Sequence, residues 1–248
     1  MITAGASGMG RAGSELFAAH GATVCVVDSN EAAGRATVDA ITAAGGTACF
    51  IAADLTDIEA SKSVVHEANR LMGGLDALWA HAGAPGPQEV SGMNWDAYRK
   101  SMALNLDSAL ASVGEAIPIL QKSLNASILF TASTAGLTGS PFSPTYSMAK
   151  FGVVGLAKSL ALALGKNNIR VNALCPGLTD TPMLPTFMSR NRDPQAQEAA
   201  QAKFVENIPL GRVSQPIEQA QAALWLISDE ASFVTGVALP VDGGFTAK

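Results

Sequence analysis

Cysteine is scarce in this chain. Cys25, Cys49 and Cys175 are the only three in 248 residues, and they lie far apart. An odd, scattered set excludes a disulfide framework and a Cys-x-x-Cys site. It fits free thiols in a reducing compartment, so a cytoplasmic location is expected. His20, His66 and His81 show no ligand spacing, and no metal is expected. Charge is scarce too: 15 % of residues are Asp, Glu, Lys or Arg, with a net charge of −5. The composition offers no basic footprint for nucleic acid and no basic amphipathic stretch for a membrane surface. The opening "MITAGASGMGRAGSELFAAH" has no charged segment leading into an apolar one, so no secretory signal is expected. Long apolar runs are also missing. The best candidate to cross a bilayer, "FGVVGLAKSLALALG" (151–165), is broken by Lys158 and glycines, and no membrane partner is expected.

What is present is rich in core formers: 48 % of residues are hydrophobic and 24 are glycine. Short apolar runs at 1–4, 22–28, 47–54, 75–83, 127–133, 169–177 and 236–244 read as strands. Stretches at 9–20, 31–44, 58–72, 95–122, 145–165 and 216–228 carry apolar residues at helical spacing. Several strands are apolar on both faces, as a parallel sheet covered by helices requires. The alternation predicts α/β class: a Rossmann-like, doubly wound parallel sheet of about seven strands, in a single domain over 1–248. The first strand has only about three residues before its turn, which leaves open whether the start is complete.

The turn "TAGASGMG" (3–10) links the first strand to the first helix. Gly5, Gly8 and Gly10 remove side chains there, so backbone N–H groups and a helix N-terminus can approach a pyrophosphate. Asp28 ends the second strand, where a carboxylate can accept bonds from the ribose hydroxyls of NAD and repel a 2′-phosphate. Neither Ser7 nor Ser29 supplies the cation that NADP would want. Further on, "YSMAK" places Tyr146 four residues before Lys150, one turn apart on a helix. The spacing alone has about a 6 % chance of arising at random in this composition, so it needs company. An ammonium beside a phenol is expected to lower the phenol's pKa from about 10 toward the range of a useful proton-transfer group.

The series of motifs resembles the short-chain dehydrogenase/reductase family over essentially the whole chain. "TAGASGMG" is similar to the family's Thr-Gly-x-x-x-Gly-x-Gly turn, with Ala4 in place of its first glycine and Gly5 taking over some of that flexibility. The resemblance makes Gly5, Ser7, Gly8, Met9 and Gly10 cofactor-binding residues, together with Asp28 and the pair Asp54 and Leu55. "AHAG" (80–83) stands where the family shows Asn-Asn-Ala-Gly, and contributes Ala82 and Gly83. "NALCPGLTDTPM" (172–183) looks like the segment that positions nicotinamide, through Pro176, Gly177, Thr179 and Thr181. Ser133 lies thirteen residues before Tyr146, the family's serine-to-tyrosine spacing, and Asn105 in "LNL" matches its structural and relay asparagine. The implied roles are proton transfer for Tyr146, tuning and ribose binding for Lys150, substrate orientation for Ser133, and holding a water near Lys150 for Asn105.

The resemblance implies an NAD(H)-dependent oxidoreductase acting on a small-molecule alcohol or ketone. The segment 183–212 reads as a substrate lid. Met183, Leu184, Phe187, Met188 and Phe204, with Phe142 and the turn 84–87 opposite, either wall an apolar pocket or simply pack. Arg190 and Arg192 are either anion receivers or solvated charges. A small or medium, largely apolar secondary alcohol is the expected substrate. The alternatives are a 3-oxoacyl-thioester reductase and an inactive dinucleotide-binding sensor. By resemblance the chain forms a homotetramer through helices such as 145–165.

Overall fold

The computed structural model describes residues 1–140, 142–188 and 193–247. Seven strands form one sheet: β1 (Ile2–Thr3), β2 (Thr23–Asp28), β3 (Thr47–Ala52), β4 (Ala77–Ala80), β5 (Ala126–Thr131), β6 (Ile169–Pro176) and β7 (Ala238–Val241). Their order is β3-β2-β1-β4-β5-β6-β7, and every pairing is parallel. The helices are α1 (Gly8–Ala19), α2 (Glu31–Ala43), α3 (Ile58–Met72), α4 (Trp95–Met102), α5 (Ser108–Leu120), α6 (Pro144–Leu164), α7 (Leu184–Met188), α8 (Pro194–Val205) and α9 (Pro216–Ile227).

Successive side chains of a strand point to opposite faces, and both faces here are apolar. Val24, Val26, Trp79, Leu129 and Leu174 bury against Phe17, Ile41 and Leu226 of α1, α2 and α9. Val27, Leu78, Ile128, Phe130 and Val171 bury against Val65, Val113 and Val153 of α3, α5 and α6. Each such side chain contributes roughly 1.5–3 kcal/mol, so the two layers hold the strand ends rigidly in place. Close approach of α1 requires Gly13: a Cβ there would sit 2.2 Å from a ring carbon of Trp79. Cys25 and Cys49 are register partners on β2 and β3, and all three thiols are free.

Two expectations change. The helix anticipated over 95–122 is interrupted by a π-helical turn at Ala103–Asp107, where the side chain of Asn105 is drawn back onto Ser101 and Ala84. The chain also contains a helical run that passes for a bilayer span: Pro144–Asn167, at mean hydropathy 1.4. Breaks in the apolar letters do not break the helix. Lys150, charged and in its interior, is 2 % exposed and turned into the protein.

Candidate active site

The sheet order reverses between β1 and β4, and in such sheets ligands bind outside the carboxyl ends of the strands at that point. The sequence-predicted residues gather there. At the end of β1, Ala4 takes a φ of +52° while Gly5 does not enter the left-handed region. The expectation that Gly5 absorbs the missing glycine's role is therefore corrected: Ala4 adopts the strained torsion itself. Gly5 instead donates its N–H to the Val27 carbonyl at 3.1 Å. Gly8 has a φ of +50°, and a Cβ on Gly10 would lie 2.1 Å from the Ala4 oxygen. The Ser14 hydroxyl sits 3.0 Å from the Gly5 carbonyl and 2.9 Å from that of Gly10, tying the turn together. Ser7 is the N-cap of α1, is exposed and makes no side-chain cap bond. Its hydroxyl and the amides of Gly8, Met9 and Gly10 in the first turn form a cradle suited to an anion.

Asp28 lies at the mouth of the same crevice. Its two oxygens accept the N–H groups of Ala6 (3.1 Å) and Asn30 (3.0 Å), so it braces the glycine turn. Asp54 is exposed and accepts the N–H and hydroxyl of Thr56 at 2.9 and 2.8 Å, bonds that hold its carboxyl below its ordinary pKa. Leu55 beside it is buried. On the β4 side, Thr3 Oγ1 accepts the N–H groups of His81 (2.8 Å) and Ala82 (3.0 Å). A Cβ on Gly83 would fall 2.8 Å from Asn105 Oδ1 and 3.1 Å from Lys150 Nζ, so glycine lets these two groups converge.

Asn105 is 1 % exposed. Its Oδ1 accepts Ala84 N–H at 3.1 Å, and its Nδ2 donates to the Ala84 and Ser101 carbonyls at 2.8 and 2.9 Å. Lys150 Nζ donates to the Thr131 carbonyl at 2.9 Å and lies 5.5 Å from the centroid of the Tyr146 ring. Ser133 Oγ accepts Ala135 N–H at 3.1 Å, and its hydroxyl reaches Tyr146, where it favours the phenolate. Serine, tyrosine, lysine and asparagine are thus brought to one place. The electrostatics depart from expectation. Tyr146 is not lowered: burial pushes it up to about 12, outweighing the bond from Ser133. Burial also drives Lys150 down to about 8. Desolvation opposes charge on both groups, and the ammonium lies over the ring rather than bonded to its oxygen.

At the far end of β6, Gly177 packs where a Cβ would meet Asp242 Cα at 2.8 Å, next to Pro176. Thr179 is buried and accepts a bond from the Ser214 hydroxyl at 2.9 Å. Thr181 leans over the glycine turn, with its Cγ2 3.1 Å from the point a Cβ on Gly8 would occupy. In the 183–212 segment, Phe187 of α7 packs edge-on to Tyr146, with centroids 5.3 Å apart. Leu184 is buried, and Met188 is half-buried. Met183 and Phe142 are exposed, and Phe204 stacks on Phe245. Arg190 and Arg192 lie outside the described residues. The turn 84–87 is tied to α6 by Thr145, whose hydroxyl donates to the Pro87 carbonyl at 2.7 Å. It borders a cavity of about 440 Å³ lined by Pro85, Gly86, Pro87 and Asn94 among others. Sequence reasoning missed Thr3 and Thr131, whose contacts are long-range, and Ser14, whose contacts stay within the turn and first helix. Thr131 standing two residues before Ser133 was the one local hint. Among the described residues no cluster of three His, Cys, Asp or Glu side chains is placed to hold a metal ion.

Residues 3–246 match a family model described as enoyl-(acyl carrier protein) reductase. A 2,5-dichloro-2,5-cyclohexadiene-1,4-diol dehydrogenase of Sphingobium indicum is 40 % identical, the match covering 100 % of this chain and 96 % of that one. A cyclohexanol dehydrogenase of Acinetobacter sp. is 34 % identical, covering 100 % and 94 %. The crystal structure of levodione reductase superposes with a TM-score of 0.93 at 30 % identity, covering 99 % of this chain and 96 % of that one. With a glycine turn, a switch-point crevice and relatives that span its full length, the chain belongs to the short-chain dehydrogenase/reductase family of oxidoreductases.

Proposed function

We propose that the protein interconverts a small, largely apolar cyclic secondary alcohol and its ketone, using NAD(H). The observation that carries this is the meeting of Ser133, Tyr146 and Lys150 beside a crevice whose other end is the α1 cradle and Asp28. The residues fit a dinucleotide: Ser7 is an uncommitted cap at the N-terminus of α1, and among the described residues Lys150 Nζ, with three donors, bonds the Thr131 carbonyl alone. When bound, NAD(H) supplies the hydride acceptor or donor. Ser7 and the α1 amides would hold its pyrophosphate, Asp28 and Asp54 its adenosine end, and Lys150 its second ribose. Ala82, Gly83 and the Pro176–Thr181 segment would border the ring.

Tyr146 moves the proton. Held near 12, it is a neutral phenol at physiological pH, ready to donate to a carbonyl oxygen that Ser133 orients. Oxidation runs through the phenolate, which the Lys150 ammonium favours, and the phenolate fraction grows with pH. Cyclohexanol oxidation should therefore rise from pH 6 to 8. It should flatten once Lys150 begins to lose its proton near 8, while cyclohexanone reduction is fastest below neutrality. Phe187, edge-on to Tyr146, forms an apolar wall on which a carbocycle can rest. The relatives named for cyclic alcohols support the same substrate class. Asp28 disfavours a 2′-phosphate, so NADH should bind at least about tenfold tighter than NADPH.

In this reading 1–248 is one catalytic domain, 183–212 is its substrate lid, and the protein works in the cytoplasm as a homotetramer. The test is Tyr146→Phe assayed on cyclohexanol, cyclopentanol and their ketones. Turnover should vanish while NADH still binds. Near-normal turnover in the variant, or a wild type that reduces only acyl-thioesters, defeats the proposal.

A further inference from the structure

We infer that His81 is a further dinucleotide-binding residue of this chain, offering its Nε2–H from the floor of the crevice to an oxygen of the cofactor's pyrophosphate. The inference rests on the cofactor reading above. It starts from Thr131 Oγ1, which lies 2.8 Å from Trp79 Nε1 and 2.8 Å from His81 Nδ1. An indole N–H only donates, so the threonine oxygen accepts it. Among the described residues the hydroxyl proton of Thr131 has no other acceptor than His81 Nδ1, so we assign that nitrogen as unprotonated. The other nitrogen, Nε2, carries the hydrogen. Burial, reinforced by the Lys150 charge, pushes the ring down to about 3, so it stays neutral.

The placement points this donor at the cofactor crevice. His81 directly follows β4, opposite the glycine turn that follows β1, at the reversal of strand order. Its Cδ2, the ring carbon bonded to Nε2, lies 3.0 Å from the point a Cβ on Gly10 would occupy. Nε2 has no hydrogen-bond partner among the described residues. It is not sealed either: the buried side-chain atoms without partners there are Ser127 Oγ, Ser143 Oγ and Gln219 Oε1. The ring is also fixed before any ligand arrives. Its own N–H and that of Ala82 are held by Thr3, and Trp79 packs against it with centroids 4.8 Å apart. A donor held this way costs little ordering on binding, and being neutral it adds no charge beside Lys150.

Two measurements test the inference. Fluorescence titration should show His81→Ala weakening NADH and ADP-ribose about 5- to 10-fold, the worth of one neutral hydrogen bond. AMP, which lacks the pyrophosphate, should change less than about twofold, and His81→Asn, which keeps a donor, should stay within about threefold for NADH. Nitrogen-15 NMR of the wild type, with three histidines to assign, should show one ring protonated at Nε2 alone, whose N–H signal shifts and exchanges more slowly with NADH. Unchanged NADH affinity in a folded His81→Ala protein, an equal loss for AMP, or a ring that ignores NADH overturns the inference. If His81→Ala does not fold, the NMR titration decides alone. Wild-type protein that binds no NADH defeats the cofactor reading itself; wild type and His81→Ala binding it equally defeats only the role of His81.

Discussion

Ala4 holds a backbone torsion that an L side chain enters at a cost of about 1–2 kcal/mol. Ala4→Gly should therefore stabilise the protein by about 1 kcal/mol, less glycine's extra unfolded-state entropy, and raise the melting temperature by about 2–4 °C in calorimetry. A lower melting temperature would show that the turn is relaxed. Lys150 carries a larger stored cost. Its pKa of about 8 in the fold lies below the 10.4 or so of an unfolded lysine. Folding thus works against the ammonium at every pH below about 8, and the penalty fades as pH rises toward 10.4. Lys150→Met keeps the packing and removes the charge. It should gain about 2 kcal/mol at pH 7 despite losing the bond to Thr131, with no gain above pH 10, and with turnover abolished. A variant less stable than wild type at pH 7 would refute this. At this scale the glycines, Asp28, Ser133, Tyr146 and Lys150 were legible because their spacing along the chain is itself the motif. Their protonation was not, because desolvation depends on what folds over them from elsewhere.

The elements were legible to within a residue or two wherever periodicity and caps agree, as in α3, where Asp57 caps the first turn and Gly73 ends it at a φ of +72°. The break at Ala103–Asp107 was hidden because the letters "SMALNLDSAL" keep helical spacing through it. The cause is a side chain bonding to a distant loop, at Ala84. The orientation of α7 was equally hidden, since a five-residue helix has no periodicity to read. Phe187 gives that element its effect on the site. Phe187→Ala should raise KM for cyclohexanol about fivefold or more while changing kcat little, as expected for a lost apolar wall of roughly 1–2 kcal/mol. Steady-state kinetics with unchanged KM would show that the ring serves packing alone. Gly13→Ala tests the layer beneath. Its Cβ meets Trp79 at 2.2 Å, and overpacking of this kind costs about 1–3 kcal/mol, visible as a lower urea midpoint.

The whole molecule leaves apolar surface on both layers. On one, Leu110 of α5 and Met148, Phe151 and Leu162 of α6 are exposed, Leu162 at 86 %, and Gly114 and Gly155 have nothing within 4 Å of a Cβ position. On the other, Ile217 and Trp225 of α9 are exposed, as are Leu210 and Phe233 in the flanking loops. Large exposed apolar residues on a chain with few charges are a liability unless covered. Small residues beside them allow a second helix to approach closely. Two separate patches on opposite layers fit two different twofold interfaces, the arrangement that builds a tetramer with dihedral symmetry. Each interface can then be removed by itself. Leu162→Glu should leave dimers joined through the α9 side, Phe233→Glu should leave dimers joined through α5 and α6, and the double variant should leave monomers, all measured by light scattering. Tyr146 and Ser133 sit inside the protomer, so dimers should keep NADH affinity. A wild-type protein that scatters as a monomer, or a single variant that falls straight to monomer, would contradict the two-interface arrangement.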